Sequence, residues 1–170
     1  MVFSIRKVLP AEADEYVACH VACWLAAYRG IIPDSYLDAM PAEAGQRAES
    51  MRRSLLDPGD ERFYCADADG RIVGRLVFGC SRDLDRPAAG EVMAIYLLPE
   101  FWGQGHGRQL MDFAVASLKA EGYREVLLWV LAENARARRF YERYGFKADG
   151  ASKLIDLGRP LVEVRYLLES

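Results

Sequence analysis

The chain is poor in the residues that build metal sites. It has two histidines, His20 and His106, and four cysteines, Cys19, Cys23, Cys65 and Cys80. No two cysteines stand in a C-x-x-C pair, so a structural zinc site is not expected. The cysteines read as small buried hydrophobes in a reducing compartment, which points to a cytoplasmic protein. No apolar run is long enough to span a bilayer, and residues 1–10 lack the apolar stretch of a secretory leader, so no membrane partner is expected. A net charge of −3 gives no general basic surface, which argues against a nucleic-acid partner. Neither an internal repeat nor a low-complexity segment is visible.

What is present is an ordinary globular composition, 52% hydrophobic and 28% charged over 170 residues. A chain of this length buries roughly 70% of its unfolded surface, enough for one core. Phe3 to Val8 reads as a strand ended by Pro10. Ala11 to Arg29 has helical period and places His20, Trp24 and Tyr28 on one face. Gly30 and Pro33 stop it. Asp34 is placed to cap a short helix through Met40, and Pro41 to open another that runs to Leu56. Phe63 to Asp67 and Ile72 to Gly79 flank Asp69-Gly70, a hairpin signal. A polar loop precedes a strand at Glu91 to Leu98. A helix from Gly105 to Ala120, an apolar strand from Glu125 to Leu131 and a helix from Asn134 to Arg143 follow. Two strands close the chain, Phe146 to Asp156 and Leu161 to Leu168. This order predicts a mixed α/β sheet in one domain over 1–170.

The most informative segment is Glu100-Phe101-Trp102-Gly103-Gln104-Gly105-His106-Gly107-Arg108. Alternate glycines after a strand and before a helix bring backbone N–H groups together at the positive helix end, where a pyrophosphate fits. A tight loop that uses glycine for geometry alone is the other reading. The Gly-Lys-Ser/Thr of a Walker loop is absent, and Arg108 stands where the dinucleotide fingerprint needs glycine.

Glu91 to Met111, EVMAIYLLPEFWGQGHGRQLM, resembles the acetyl-CoA-binding core of the GNAT superfamily of N-acetyltransferases. A second stretch, ENARARRFYERYGF, is similar to the same family's N-x-x-A-x-x-x-Y-x-x-x-G-F run through Asn134, Ala137, Tyr141, Gly145 and Phe146. One position departs: Trp102 stands where the family usually has Gln or Arg. The front stretch HVACWLAAYRGIIPDSYL resembles bacterial members with a W-x-x-x-Y-R-G-x-x-P segment.

The resemblance implies a GNAT-like acyl-CoA N-acyltransferase fold, with a mostly antiparallel sheet of six to seven strands flanked by helices. It divides the chain into an acceptor side (3–60), a strand meander (61–98), the coenzyme core (99–146) and closing strands (147–170). The implied activity is acetyl transfer from acetyl-CoA to a small primary amine by direct attack, with no metal. The acceptor classes are a polyamine, an aminoglycoside or an amino-acid derivative. A catalytically silent acyl-CoA sensor and a protein N-terminal or lysine acetyltransferase are the alternatives.

Ile95 and Leu97 are expected to offer backbone groups to the pantetheine arm, and the Leu97 N–H to face the oxyanion. Gly103, Gln104, Gly105, His106, Gly107 and Arg108 are expected around the pyrophosphate. Asn134 is expected to touch the pantetheine or cap its helix. Tyr141 is the expected acid for the thiolate, and Glu91 the expected base, the other reading being a solvated acid after a loop. Trp24 and Tyr28 are expected to line the acceptor pocket or the core. Arg136, Arg139 and Arg143 form a basic stripe, read as a solvated face or a contact to the coenzyme 3′-phosphate. Many relatives pair, so a homodimer is the implied assembly.

Overall fold

The computed structural model describes residues 1–169 and contains seven strands and five helices of six or more residues. In chain order these are β1 (Phe3–Lys7), α1 (Ala13–Tyr28), α2 (Asp34–Ala39), α3 (Ala44–Leu56), β2 (Glu61–Ala68), β3 (Arg71–Cys80), β4 (Gly90–Leu97), α4 (His106–Ala120), β5 (Glu125–Leu131), α5 (Ala135–Tyr144), β6 (Lys147–Asp156) and β7 (Pro160–Glu169). The strands form one sheet in the order β1-β2-β3-β4-β5-β7-β6. All neighbours are antiparallel except β4 and β5. This is the mixed sheet expected from the order of elements, and the mostly antiparallel one that the resemblance implies. No helix among the described residues is long and apolar enough to cross a membrane.

Local chemistry explains most element ends. Asp69 and Gly70 both take positive φ (52° and 85°) between the paired Ala68 and Arg71, the geometry of a two-residue hairpin turn with right-handed strand twist. Asn134 Oδ1 accepts the Ala137 N–H at 3.1 Å and caps α5. Asp34 is not the cap expected of it. Pro33 occupies that position, and Asp34 instead takes the Arg29 guanidinium at 2.9 Å.

Successive side chains of β3 point to opposite faces of the sheet. On one face Phe78 packs against Phe113 of α4, with Tyr64 beside it. Tyr96, which pairs with Arg75 of opposite parity, packs against Trp24 and Tyr28 of α1 on the other. The sheet therefore separates α1 from α4.

One irregularity shapes the centre of the sheet. The β3–β4 register shifts between Val77 and Phe78, leaving Met93 as an extra residue on β4. Beyond it β4 leaves its parallel neighbour. Only Gly90–Val126 and Glu91–Leu127 pair across β4 and β5. From there to their C-terminal ends the two central strands diverge.

Candidate active site

Two cavities meet at this divergence. The first, about 740 Å³, is lined by Gly103, Gly105, Gly107, Arg108, Arg143 and Phe140 among others. The second, about 520 Å³, lies toward α1 and is bordered by Trp24, Tyr28, Glu91, Trp129, Lys153 and Glu163. Ile95, Tyr96, Arg136, Ala137 and Tyr141 line both. A molecule entering through the glycine turn would reach the second cavity past Tyr96 and Tyr141.

The glycine turn has a distinctive backbone. Gly103 and Gly105 take φ of +72° and +87°, a conformation costly for other residues, and a β-carbon on either would meet open space. Gly105 is the N-cap of α4 and no side chain caps that end. The first helical bond runs from Gln109 N–H to Gly105 C=O at 3.1 Å, so the preceding amides of the turn are free for a ligand.

Not every residue of the turn faces the cavity. Gln104 folds back, its Nε2 donating to Glu100 C=O. The His106 side chain also turns away: it is buried and stacked on Phe3, ring centroids 4.0 Å apart, which leaves its backbone as the part of the residue that the turn could offer. Adjacent residues at a helix start leave the axis about 100° apart, so one can face a ligand while the next faces the core.

The β4 backbone is arranged for a ligand as well. Leu98 N–H donates to Val73 C=O at 2.9 Å, and Leu97 stands opposite Gly74. Antiparallel hydrogen bonding alternates, so the N–H groups of Leu97 and Ile95 point away from β3 into the gap. The Leu97 carbonyl is taken by Trp102, whose Nε1 donates to it at 2.8 Å. The Trp102 ring carries the Arg136 guanidinium 3.4 Å above its centre. Trp102 thus makes a polar contact within the protein and supports a cation at the cavity mouth. Of the basic stripe, Arg136 and Arg143 line the first cavity and Arg139 is not among its lining residues.

Tyr141 sits where the cavities join. Its ring is buried, yet among the described residues its hydroxyl makes no hydrogen bond, which leaves that group facing the shared space. Burial pushes its phenol above the usual range, with Tyr96 adding to the shift, so it stays protonated. Tyr28 is buried, and its hydroxyl lies 3.0 Å from that of Tyr96. Trp24 is half-buried beside them. Both residues line the second cavity as well as packing. Tyr96 escapes notice in the sequence because it stands in an apolar strand next to the residues singled out.

Glu91 differs most from its expected setting. It is buried at the closed end of the divergence, and Arg82 grips it completely. Oε2 accepts the Arg82 backbone N–H at 3.0 Å and Nε–H at 3.2 Å, and Oε1 accepts Nη2–H at 2.6 Å. It is neither a solvated acid nor a free base. A second acid, Glu163 on β7, lines the same cavity. Nothing in the sequence near residue 163 singles it out, because strand pairing alone brings it there.

A family model described as the acetyltransferase (GNAT) family matches residues 23–146. An uncharacterized N-acetyltransferase of Mycobacterium tuberculosis is 34% identical over 145 residues, 82% of this chain and 85% of that protein. One from Methanocaldococcus jannaschii is 28% identical over 147 residues, 85% of this chain, and the chain spans 61% of that relative's length. Among solved structures, the paiA N-acetyltransferase of Thermoplasma acidophilum in complex with coenzyme A shares the fold over the full length of both chains, with a TM-score of 0.80 at 21% identity. The yncA protein of Salmonella typhimurium with acetyl-CoA gives 0.69 at 19% identity, over 99% of this chain and 94% of that one.

Proposed function

The chain belongs to the acetyltransferase (GNAT) family, and from that premise we propose that it moves the acetyl group of acetyl-CoA to a primary amine within a ternary complex. One observation carries the reading: the coenzyme-side and acceptor-side cavities meet in the β4–β5 divergence at Tyr141, with Leu97 lining the coenzyme side.

The residues present suit the coenzyme. The free amides at the start of α4 sit at the positive end of a 15-residue helix and suit a diphosphate. Arg108, Arg136 and Arg143 add positive charge along the same cavity. Ile95 and Leu97 offer the gap-facing backbone of β4 to an amide-bearing arm, much as an edge strand accepts an added strand. Acetyl-CoA supplies an acyl group already activated as a thioester.

The remaining work falls to the protein. The Leu97 N–H is the donor for negative charge developing on the acetyl oxygen, fixed in place before reaction. The Tyr141 hydroxyl donates a hydrogen bond to the departing sulfur. Trp24, Tyr28 and Tyr96 wall the acceptor, which makes the W-x-x-x-Y-R-G-x-x-P segment part of the acceptor site. We take residues 1–170 as one catalytic domain.

Calorimetry with CoASH and release of thiol from acetyl-CoA across an amine panel test this reading. Binding accompanied by amine-dependent thiol release is the expected result. No binding of CoASH ends the proposal. Binding without release from any amine, an N-terminal peptide included, makes the protein an acyl-CoA sensor.

A further inference from the structure

The acceptor-side cavity is lined by three acids, Asp83, Glu91 and Glu163. Two are fully engaged. Asp83 accepts Trp129 Nε1–H on both oxygens, at 3.2 and 3.0 Å, and pairs with Arg165 at 2.9 Å. Glu91 is held by Arg82 through three hydrogen bonds.

Glu163 is held loosely. Lys153 Nζ stands 3.7 Å from its Oε2, too far for a short charge-assisted hydrogen bond. The same ammonium is also drawn over the Trp129 ring, 4.0 Å from its centre. Strand register sets where Glu163 lies. It pairs with Leu131, whereas Glu91 pairs with Leu127 at the closed end. Four residues of strand put Glu163 about 13 Å further along the divergence. That is roughly the level of Ile95 and Tyr96, which line the same cavity.

We propose that Glu163, rather than Glu91, receives the acceptor's ammonium and takes its proton, and that the acceptor bears no second cationic nitrogen. This inference rests on the acetyltransferase reading and deepens it. One proton passes from the ammonium nitrogen to a Glu163 oxygen. The freed lone pair forms the C–N bond while the C–S bond breaks and its electron pair leaves on sulfur. The second nitrogen proton ends on that sulfur, giving CoASH, and Glu163 returns the first to solvent.

The surroundings of Glu163 favour this role. Lys153 on β6 and Arg82 in the loop after β3 favour its charged form, while Glu91 on β4 opposes it. The hydroxyls of Tyr28 on α1 and Tyr96 on β4 feel its charge from across the cavity. Burial outweighs the two cations and holds the carboxyl above its ordinary value, which makes it a stronger proton acceptor than a solvated glutamate. Cations also set the substrate class. Arg82 is paired with Glu91, but Lys153, whose side chain is 45% exposed, is only loosely tied to Glu163, and Arg136 lines the same cavity with no ion pair among the described residues. A second ammonium would meet them as like charges and find no free carboxylate among the described residues of the cavity. A primary amine with a neutral or anionic remainder fits, which favours amino-acid derivatives and simple monoamines over polyamines and aminoglycosides.

The test measures thiol release from acetyl-CoA with an amino acid, phenethylamine, spermidine and kanamycin, using wild type, Glu163→Gln, Glu163→Asp and Glu91→Gln. Glu163→Gln is expected to lower kcat/KM by about a hundredfold. It is also expected to move the acid limb of the pH profile up toward the amine's own pKa, about 10. CoASH affinity by calorimetry should be unchanged. Glu163→Asp should recover part of the limb, which a structural role would not, and Glu91→Gln should keep it. The best monoamine should exceed spermidine by about tenfold in kcat/KM. A wild-type profile in Glu163→Gln, loss of the limb in Glu91→Gln instead, or spermidine as the best acceptor overturns the proposal while leaving acetyl transfer intact. Wild type that binds CoASH and releases thiol with no amine overturns the transferase reading and this inference together.

Discussion

A phenol held above its ordinary pKa gives up a proton reluctantly, so the role proposed for Tyr141 is that of a hydrogen-bond donor to the leaving sulfur. Tyr141→Phe keeps the buried ring and removes only that donor. It is expected to lower kcat by about tenfold to a hundredfold, with CoASH affinity unchanged. Steady-state kinetics beside calorimetry check this, and an unaltered kcat would reduce Tyr141 to packing. Much of the proposed coenzyme site was legible at this scale, because the absence of β-carbons at 103, 105 and 107 is written in the sequence. Side-chain direction was not. His106 stands between two cavity-lining glycines yet stacks on Phe3, a contact with a residue 103 positions earlier.

At the scale of elements, the hairpin at Asp69-Gly70 and the Asn134 cap were readable because each is decided by residues within four positions of one another. The loop at 81–89 was read only as polar, and its anchoring is long-range. Arg165 of β7, with a side chain 5% exposed, binds Asp83 at 2.9 Å, Asp85 at 2.8 Å and Asp149 at 2.8 Å. This pins the β3–β4 loop to β7 and β6. The Asp83 and Asp149 side chains are themselves largely covered, so Arg165→Met leaves carboxylates without their partner. The expected loss is about 3 kcal/mol of unfolding free energy, read from urea denaturation. Glu163 was missed for the same reason as this clamp. The order β5-β7-β6 brings residue 163 beside residue 131, and nothing local announces that pairing.

For the whole molecule, pH dependence follows from His20, whose imidazole is pushed down to about 3 by burial, with Arg75 and Arg47 adding. Below about pH 6.5 the unfolded chain takes up a proton that the folded one refuses. Stability therefore falls as pH drops from about 6.5 toward 3, by up to about 1.4 kcal/mol per pH unit. Glu163 acts in the opposite sense, since its raised carboxyl favours the folded state on the acid side. His20→Phe should flatten the slope between about pH 6.5 and 5 in urea midpoints, and an unchanged slope would mean that His20 is protonated in the folded protein.

The parting of β4 from β5 has a consequence for the architecture itself. Two residue pairs bind the two halves of the sheet like a book sewn at one end of its spine, and the facing page edges carry unmatched amides. A bound pantetheine arm would serve as the missing leaf, joining the two halves while it stays and leaving them parted again once it goes.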